Sequence, residues 1–428
     1  MRVLFLNDLC DPRVGSATRQ MYQLAARLRE LGHATAVVAA TQERGAAGRT
    51  EIEGCEAFLI HSDYPPRFRA WVGLDNRRTR APLRAILAEW RPDVVHAHLV
   101  HTHLSYAALS AARRAGAGVV FTAHDAMTFC YQKLTCFHGG EAHGGELRDY
   151  EARWQKCIPC QRFRFRPGRN AAIRQVLARD VDRFTVVSDE LGEAIRRNGI
   201  RVDRTLHNAV RAQPRLPAQE EVRAFRERHG LTDKLVLAIG GRLHEQKGVT
   251  QLLRMLALLA DEFPALRLIV MGREEIWREH FEAAARELGV AELVVPTGWL
   301  DGEELQCAYA ATDVFVTPSI CFDTFGMVNL EAMEHAKPVV ATAFGGSPEV
   351  VLDGESGLVA NPFDLEAFSG AIARLLRDPE LRRRMGAAGR ERLERGFTVE
   401  RLAQECLEEY AAALSKVRDR APRGRGGP

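Results

Sequence analysis

Two cations follow a glycine turn in the second half of the chain. In AIGGRLHEQKG, Arg242 and Lys247 come after Gly240 at the end of an apolar run. A planar guanidinium can grip two phosphate oxygens at once, whereas an ammonium acts as a compact point charge. Backbone amides of the glycine turn would add further donors. The stretch therefore predicts a diphosphate site, and solvated charges on an ordinary strand–turn–helix are the alternative.

A pair of carboxylates lies in TPSICFDTFGMVNLEAMEHAKPVVAT. Asp323 and Glu331 are eight positions apart, and a helix is expected to begin between them, near Phe325 and Gly326. The first amides of such a helix favour an anion. One carboxylate can then face a sugar while the other reaches ribose hydroxyls. The plainer alternative is a solvated helix face that carries Glu331 and Glu334.

The first half offers candidates at the ends of predicted strands. Gly15, in NDLCDPRVGSATRQ, is expected to open a helix, and His124 ends the run VVFTAH. A histidine whose hydrogen bonds are satisfied in a loop is the alternative for His124, but its place at a strand end favours function. The run VVHAHLVHTH also contains four histidines. They could form a metal site, but a structural or acceptor-side role is the favoured interpretation. They are His96, His98, His101 and His103.

Four cysteines form the pattern C-x5-C-x20-C-x2-C. Thiolates with a closing C-x2-C can hold a tetrahedral zinc ion, and a disulfide is not expected in a reducing cytoplasm. His138 and His143 are further candidate ligands, and buried thiols without metal are the alternative. The segment of about residues 126–168 is expected to be an insertion on the acceptor side of the first domain. The cysteines are Cys130, Cys136, Cys157 and Cys160.

A basic cluster follows the cysteines. QRFRFRPGR carries arginines from Arg162 to Arg169. Such a cluster can hold an anionic acceptor or contact an anionic membrane surface, and a solvated loop is the equal alternative. The whole chain has a net charge of +3 over 428 residues, which gives no case for nucleic-acid binding. With a first apolar run that soon meets an aspartate, the N-terminus predicts a buried strand and a cytoplasmic protein.

Short apolar runs alternate with amphipathic helical stretches in both halves, which predicts parallel sheets covered by helices. Runs such as RVLFLN and GVVFTAH stand in the first half, and KLVLAIGG, DVFVTPS and PVVATA in the second. The fold class expected is α/β, with two doubly wound Rossmann-like domains facing across a cleft. The predicted organisation is a first domain over 1–207, a linker over 208–217, a second domain over 218–395, a helix over 396–416 that packs on the first domain, and a disordered tail over 417–428.

The order and spacing of these motifs resemble glycosyltransferase family 4, whose members have the GT-B fold. The resemblance implies that Arg242 and Lys247 hold the donor diphosphate, that Glu331 binds the ribose and that Asp323 meets the sugar hydroxyls. It also implies that amides near Gly15, Phe325 and Gly326 approach the donor and that His124 lies near the transferred sugar. The first acidic position of the family is glutamate, and here it is Asp323, one methylene shorter, which bears on sugar preference.

The resemblance implies a retaining glycosyltransferase that moves a sugar from a UDP-, GDP- or ADP-sugar to an acceptor hydroxyl of a glycan, a lipid-linked sugar or a small molecule. It implies no catalytic metal, so that zinc would be structural only. One alternative is another GT-B enzyme, such as a nucleotide-sugar epimerase or a phosphorylase, although no pyridoxal phosphate lysine motif is apparent. A second alternative is a non-catalytic zinc or nucleic-acid-binding protein, against which the retained Arg242, Lys247 and Glu331 argue.

Overall fold

The chain folds into two compact units in a computed structural model that describes residues 1–13 and 15–420. The first unit comprises Met1–Lys133, Tyr150–Ala209 and the residues from Val399 onward, and the second comprises Leu134–Asp149 and Val210–Thr398. Each unit has its own sheet of mainly parallel strands and its own hydrophobic core. The predicted α/β class with two Rossmann-like halves is confirmed.

The sheet of the first unit has eight strands in the order β3-β4-β2-β1-β5-β6-β7-β8. All neighbours are parallel except β3, which pairs antiparallel with β4. The apolar runs predicted this sheet apart from β3, β4 and β8, since the first two have a mixed composition and β8 is only two residues long. The elements are β1 (Arg2–Asn7), α1 (Ser16–Glu30), β2 (Ala34–Thr41), β3 (Gly48–Ile52), β4 (Cys55–His61), α2 (Arg69–Val72), α3 (Arg77–Trp90), β5 (Val94–Ala97), α4 (Ala107–Arg114), β6 (Gly118–Ala123), α5 (Trp154–Gln161), α6 (Arg169–Asp180), β7 (Arg183–Val186), α7 (Asp189–Arg197) and β8 (Arg204–Thr205).

The sheet of the second unit has six parallel strands in the order β11-β10-β9-β12-β13-β14. Strand β12 lies between β9 and β13, so the loops after these three strands meet at one sheet edge. The elements are α8 (Gln219–Arg228), β9 (Leu235–Gly240), α9 (Val249–Ala260), β10 (Leu266–Met271), α10 (Glu274–His280), α11 (Glu282–Glu287), β11 (Val294–Gly298), α12 (Gly302–Ala311), β12 (Val314–Thr317), α13 (Met327–Glu334), β13 (Val339–Thr342), α14 (Ser347–Val350), β14 (Gly357–Ala360), α15 (Leu365–Arg377) and α16 (Pro379–Gly396).

The last helix, α17 (Val399–Arg420), belongs to the first unit although it follows the second in sequence. The phenol of Tyr410 lies 2.8 Å from Nδ1 of His96, and the guanidinium of Arg183 donates to Glu409 at 2.6 Å. The helix starts at Val399 rather than at 396 and runs through 417–420, which the sequence assigned to a disordered tail. Residues 421–428 of that tail lie outside the described residues.

Residues 134–149 differ from the predicted organisation. The sequence placed them within the first domain as part of an insertion over about 126–168, whereas the structure groups Leu134–Asp149 with the second unit. Hydrophobic periodicity cannot show this, because the segment has one short turn at Glu141–His143 and no strand or α-helix of its own. Its aromatic side chains pack on rings of the second unit. The long apolar helix that a bilayer span requires does not occur within 1–13 and 15–420.

Candidate functional site

The three loops after β9, β12 and β13 form the candidate site of the second unit. They are the cation loop (residues 241–248), the acid loop (residues 318–326) and the glycine loop (residues 343–346). In parallel sheets, ligands sit beyond the carboxyl ends of the strands, which is where these loops lie. The sequence motifs with Arg242, Lys247 and Asp323 are thus brought to one edge of one sheet.

The cation loop and the acid loop are tied together through backbone. Gln246 accepts hydrogen bonds through its carbonyl from the amides of Ile320 and Cys321, at 3.0 and 3.2 Å. Gly248 allows this approach, because a Cβ there would lie 1.8 Å from the carbonyl oxygen of Pro318 at a φ of +73°. Only glycine fits such a contact.

Lys247 and Asp323 form an ion pair across the two loops. The Nζ of Lys247 lies 3.2 Å from Oδ2 of Asp323, and the hydroxyl of Ser319 donates to the same oxygen at 3.3 Å. Burial acts to lower the pKa of Lys247, but the carboxylate of Asp323 and the thiol of Cys321 outweigh it, so the pKa is raised. The lysine is therefore a fixed cation at neutral pH, and its charge is aimed at the acid loop.

The main chain of Asp323 is fixed by the glycine loop. Its carbonyl accepts a hydrogen bond from the amide of Gly346 at 2.7 Å. A Cβ at Gly345 would lie 2.1 Å from that same carbonyl oxygen. Since the buried carboxylate of Asp323 is held at both main chain and side chain, its direction is set by the fold.

Arg242, Phe325 and Gly326 have different environments. Arg242 is exposed on the cation loop. Gly326 is the N-cap of α13, so the first free amides of that helix follow it directly. The ring of Phe325 is buried against Phe397, with ring centroids 5.9 Å apart. Phe325 could therefore contact the donor only through its backbone.

Glu331 lies in α13, half-buried, and accepts a hydrogen bond from the phenol of Tyr309 at 2.6 Å. Tyr309 in turn stacks on His335, with centroids 5.7 Å apart. Glu334, in the same helix, is buried and accepts from the amide of Gln213 at 2.7 Å, and burial raises the pKa of its carboxyl. The two glutamates are thus distinct, and the alternative of one solvated helix face is wrong for Glu334.

In the first unit, Gly15 is the N-cap of α1, as predicted for a helix that opens after β1. Ser16 begins that helix where the family pattern has a second glycine. Asn7, the last residue of β1, donates to the hydroxyl of Thr18 at 3.0 Å and so ties the strand to the first turn of α1. A helix N-terminus of this kind favours an anion, and anion binding at the start of α1 stays a prediction.

His124 lies directly after β6 and is buried. Its Nε2 is 2.7 Å from Nδ1 of His98. Burial lowers the pKa of His124 to about 4, against a smaller opposing effect of Asp125. The imidazole is therefore neutral at pH 7 and acts as a hydrogen-bonding group rather than as a cation.

The proton of the His98–His124 contact can be assigned. Nε2 of His98 is buried and has no hydrogen-bond partner among residues 1–13 and 15–420. In proteins, a buried N–H that lacks an acceptor is rarer than a buried acceptor atom that lacks a donor. In the favoured tautomer, His98 therefore carries its proton on Nδ1 and donates it to Nε2 of His124. The proton of His124 then lies on its own Nδ1, away from this contact.

His96 and His101 have structural partners, as the sequence favoured. The Nδ1 and Nε2 atoms of His96 lie 2.8 Å from the hydroxyls of Tyr410 and Thr122, and burial lowers its pKa to about 3. His101 lies 2.8 Å from the phenol of Tyr106. With both ring nitrogens engaged, His96 has no lone pair left for a metal, so the metal interpretation is wrong for this residue.

The four cysteines are distributed over both units. Cys157 and Cys160 lie three positions apart in α5 and hence on one side of that helix. Cys130 belongs with them to the first unit, whereas Cys136 belongs to the segment grouped with the second. Sulfur donors of this type suit zinc. The zinc site stays a prediction.

The arginines of QRFRFRPGR fall into two groups. Arg162 and Arg164 are exposed beside Phe163. Arg169 is buried: it donates to the carbonyl of Met127 at 2.7 Å and lies over the ring of Tyr131. Arg169 is thus part of the framework of the first unit and not, as the sequence suggested, of an anion-binding surface.

Sequence reasoning missed several residues that hold the site. Ser319 and Tyr309 bind the two carboxylates and were not named, whereas His98 was named but its contact with His124 was not predicted. Serine and tyrosine carry no signal in a single sequence, since their role depends on a partner far along the chain. His98 stood in a histidine-rich run, but its partner lies 26 residues away on the next strand of the sheet.

Two Rossmann-like halves, with a cation loop and an acid loop at one edge of the second sheet, are the architecture of the GT-B fold class. The comparisons agree. Residues 15–209 match the family described as Glycosyl transferase 4-like domain, and residues 221–392 match Glycosyl transferases group 1. The chain belongs to the glycosyltransferases of family 4 type, which confirms the family resemblance of the sequence.

Characterised relatives match part of the chain. The GDP-mannose-dependent alpha-(1-6)-phosphatidylinositol monomannoside mannosyltransferase of Mycolicibacterium smegmatis is 39% identical over 172 residues, which are 39% of this chain and 45% of the relative. The D-inositol 3-phosphate glycosyltransferase of Streptomyces griseus is 35% identical over 207 residues, which are 46% of this chain and 43% of the relative. The chain thus spans less than half the length of either protein.

Solved structures share the fold. Anabaena HepE, crystallised with UDP and glucose, superposes with a TM-score of 0.71 at 18% identity, over 96% of this chain and 100% of HepE. At this identity the likeness concerns the fold alone.

Proposed function

We propose that the protein transfers a sugar, with retention of anomeric configuration, from a nucleoside-diphosphate sugar to an acceptor hydroxyl. The observation that carries the proposal is the Lys247–Asp323 ion pair, which joins a phosphate-type cation to a buried carboxylate at the carboxyl edge of the second sheet. A diphosphate needs fixed cations, and a sugar needs a directed hydrogen-bond acceptor. Here the ammonium of Lys247 and the carboxylate of Asp323 lie at hydrogen-bond distance from each other.

The donor roles follow from this arrangement. Arg242 and Lys247 bind the diphosphate, aided by the free amides after Gly326 at the start of α13. Glu331 binds the ribose hydroxyls, with Tyr309 fixing one of its oxygens. Asp323 accepts hydrogen bonds from sugar hydroxyls.

The transfer proceeds on one face of the sugar. The bond between the anomeric carbon and the diphosphate oxygen breaks, and its electron pair leaves with the diphosphate. The acceptor oxygen forms its new bond on the same face and passes its proton to the departing phosphate oxygen. Stabilisation of the leaving anion by Arg242 and Lys247 is the largest contribution. His124, neutral at pH 7, hydrogen-bonds the sugar rather than titrating, and Gly15 supplies backbone amides.

The nucleotide of the donor is UDP, GDP or ADP. The M. smegmatis relative is named for GDP-mannose, and HepE was crystallised with UDP and glucose. These two names support a nucleoside diphosphate as the shared chemistry and favour neither base. The acceptor is a hydroxyl compound.

Exposed aromatic and basic residues around α5 support a further part of the proposal, contact with an anionic membrane surface. Trp154 and Phe163 are 66% and 74% exposed, with Arg162 and Arg164 next to them. Aromatic side chains favour the membrane–water interface, and arginines favour anionic head groups.

The same surface continues onto α2. Arg166 donates to the carbonyl of Ala70 at 3.4 Å, which places the turn after α5 beside α2. Phe68 and Trp71, just before and within α2, are exposed as well. Two separate segments thus present aromatic side chains and arginines together, which a solvated loop does not require.

The proposal has two further parts. The protein acts in a reducing cytoplasm, and it binds a structural zinc ion through Cys130, Cys136, Cys157 and Cys160. The thiols of Cys157 and Cys160 share one side of α5, and thiolates are the ligands that zinc prefers. The zinc would stabilise the fold and would take no part in the transfer.

A donor screen tests the proposed function. UDP-, GDP- and ADP-sugars are added in turn, and the melting temperature and the release of nucleoside diphosphate are measured. One donor is expected to raise the melting temperature, because it binds the folded state only, and to be hydrolysed slowly. A chain that neither binds nor cleaves any of them would be a binding protein on a transferase scaffold. Conversion of the sugar without release of diphosphate would indicate an epimerase.

A further inference from the structure

The segment of residues 134–149, here called the clasp, is built into the second unit although the chain on either side of it belongs to the first. It leaves the first unit after Lys133 and returns at Tyr150. Its two ends are held together, because the amide of Asp149 donates to the carbonyl of Phe137 at 3.0 Å. The clasp is therefore a closed loop and not a trailing connection.

Phe137 is the anchor of the clasp. Its ring is fully buried and meets the rings of Phe322 and Phe344 edge-on, with centroids 5.5 and 5.3 Å apart. Phe322 immediately precedes Asp323 in the acid loop, and Phe344 precedes the glycines that hold the carbonyl of Asp323. Edge-to-face aromatic contacts fix direction as well as distance.

His138 makes a second contact, with the glycine loop. Its ring stacks on Phe344, with centroids 5.6 Å apart and planes 13° apart. Nδ1 of His138 accepts from the amide of Gly140 at 2.8 Å, which fixes the ring within the clasp. The clasp thus contacts the acid loop at Phe322 and the glycine loop at Phe344.

The outer part of the clasp is held to the body of the second unit. Asn361 donates to the carbonyl of Gly144 at 2.6 Å. Gly145 lies so close to Phe363 that a Cβ there would come within 2.4 Å of the ring. Arg148 covers the ring of Phe344 at 5.2 Å. These contacts leave the inner residues, Phe137 and His138, little freedom to move.

We propose that the clasp positions the carboxylate of Asp323 and so takes part in selecting the transferred sugar, with Phe137 as its main positioning residue. The inference rests on the proposed function, in which Asp323 contacts the sugar. The clasp touches the residue next to Asp323 directly, whereas it reaches Lys247 only through the acid loop, so its loss should affect use of the sugar more than binding of the diphosphate.

The test compares binding of the diphosphate with use of the sugar. Phe137→Ala, Phe137→Leu and wild type are assayed with donors that share a nucleotide and differ in the sugar, UDP-glucose against UDP-galactose and GDP-mannose against GDP-glucose, and affinities for UDP and GDP are measured alongside. For Phe137→Ala we expect a diphosphate affinity within about twofold of wild type and altered ratios of activity between the sugars. Turnover should fall by roughly tenfold to a hundredfold, because a small displacement of groups near the reacting centre lowers the rate by that factor. Phe137→Leu, which keeps most of the packing, is expected to recover most of the activity.

Phe281→Ala is the matched control, because Phe281 is equally buried in the same unit but packs on Trp277. It is expected to lower the melting temperature without changing sugar ratios. If Phe137→Ala does not fold, His138→Ala and Gly145→Ala replace it with the same expectations. Unchanged turnover and sugar ratios in a folded clasp variant, or an equal loss of diphosphate affinity, would overturn the inference.

Arg242→Ala is measured in the same series to separate the two proposals. If Arg242→Ala loses diphosphate affinity while the clasp variants behave as wild type, the inference fails and the proposed function stands. If Arg242→Ala binds the diphosphates as wild type does, the proposed function fails together with the inference.

Discussion

The ammonium of Lys247 lies 3.2 Å from the carboxylate of Asp323, although 76 residues separate them in sequence. The pair joins the loop after β9 to the loop after β12. The buried carboxylate of Asp323 also accepts a hydrogen bond from Ser319, so removal of the lysine leaves it with this hydroxyl partner. The pair therefore links phosphate binding and sugar binding through one contact.

Replacement of the site cations is the first prediction. Lys247→Met and Arg242→Ala are expected to lower kcat/KM by two or more orders of magnitude, because each removes a charge that stabilises the departing diphosphate. Steady-state kinetics with the donor found in the screen measures the effect. Arg228→Ala, which removes an exposed arginine of α8 paired with Glu304, is the control and should be near wild type. Near-normal turnover in both site variants would refute the assignment.

Asp323 gives the second prediction. Asp323→Glu lengthens the side chain by one methylene and restores the family's usual residue, so the ratio of activities with different donor sugars should change by about tenfold or more while the affinity for the diphosphate stays close to wild type. Asp323→Asn keeps the size, removes the charge and should lower turnover with every sugar. Identical sugar ratios in Asp323→Glu and wild type would mean that this carboxylate does not contact the sugar.

The buried histidines of the first unit predict a loss of stability in acid. Burial lowers the pKa of His96 to about 3 and that of His124 to about 4, from an ordinary value of 6.5. The unfolded chain therefore takes up protons below pH 6.5 that the folded chain does not. Stability is complete above that pH and falls as the pH drops towards the folded values, by about 1.4 kcal/mol per pH unit for each histidine.

Denaturant unfolding between pH 7 and pH 4.5 measures this slope. His96→Gln, which cannot titrate, should be less stable at pH 7 but should show a shallower decline, whereas the exposed His280→Gln should follow wild type. Equal slopes for His96→Gln and wild type would contradict the prediction.

The exposed aromatic residues predict binding to anionic vesicles. Wild type should sediment with vesicles that contain phosphatidylglycerol and much less with pure phosphatidylcholine, and added salt should weaken the binding. The double substitution Trp154→Ser with Phe163→Ser should reduce binding several-fold, because both aromatic anchors are lost. Trp299→Ser removes an exposed tryptophan of the second unit as a control. No wild-type preference for anionic vesicles would exclude the membrane part of the proposal.

The cysteines predict bound zinc. Elemental analysis of the purified protein should find about one zinc ion per chain, and a chelator should lower the melting temperature. Cys157→Ser with Cys160→Ser should abolish both effects, whereas Cys55→Ser, a buried thiol beside Thr35, should retain the metal. Metal-free wild-type protein whose melting temperature does not change with the chelator would mean that the four cysteines are ordinary thiols without a metal.

The sequence by itself determined the fold class and most of the candidate residues. Runs such as KLVLAIGG and DVFVTPS are apolar on both faces, which only a covered parallel sheet satisfies. The glycines and charges that follow them stand at the strand ends, where parallel topology must bring them to one edge. The amino-acid sequence alone therefore predicts that Arg242, Lys247, Asp323 and Glu331 belong to one site.

Only the tertiary structure decided which partners hold these residues. The contacts of Ser319 with Asp323 and of Tyr309 with Glu331 depend on side-chain directions that no periodicity encodes. The placement of the clasp in the second unit was likewise beyond the sequence, because a loop without regular structure is positioned by the aromatic surface on which it packs. Strand periodicity is a local property of the chain, whereas the burial of Phe137 against Phe322 is a property of the folded unit.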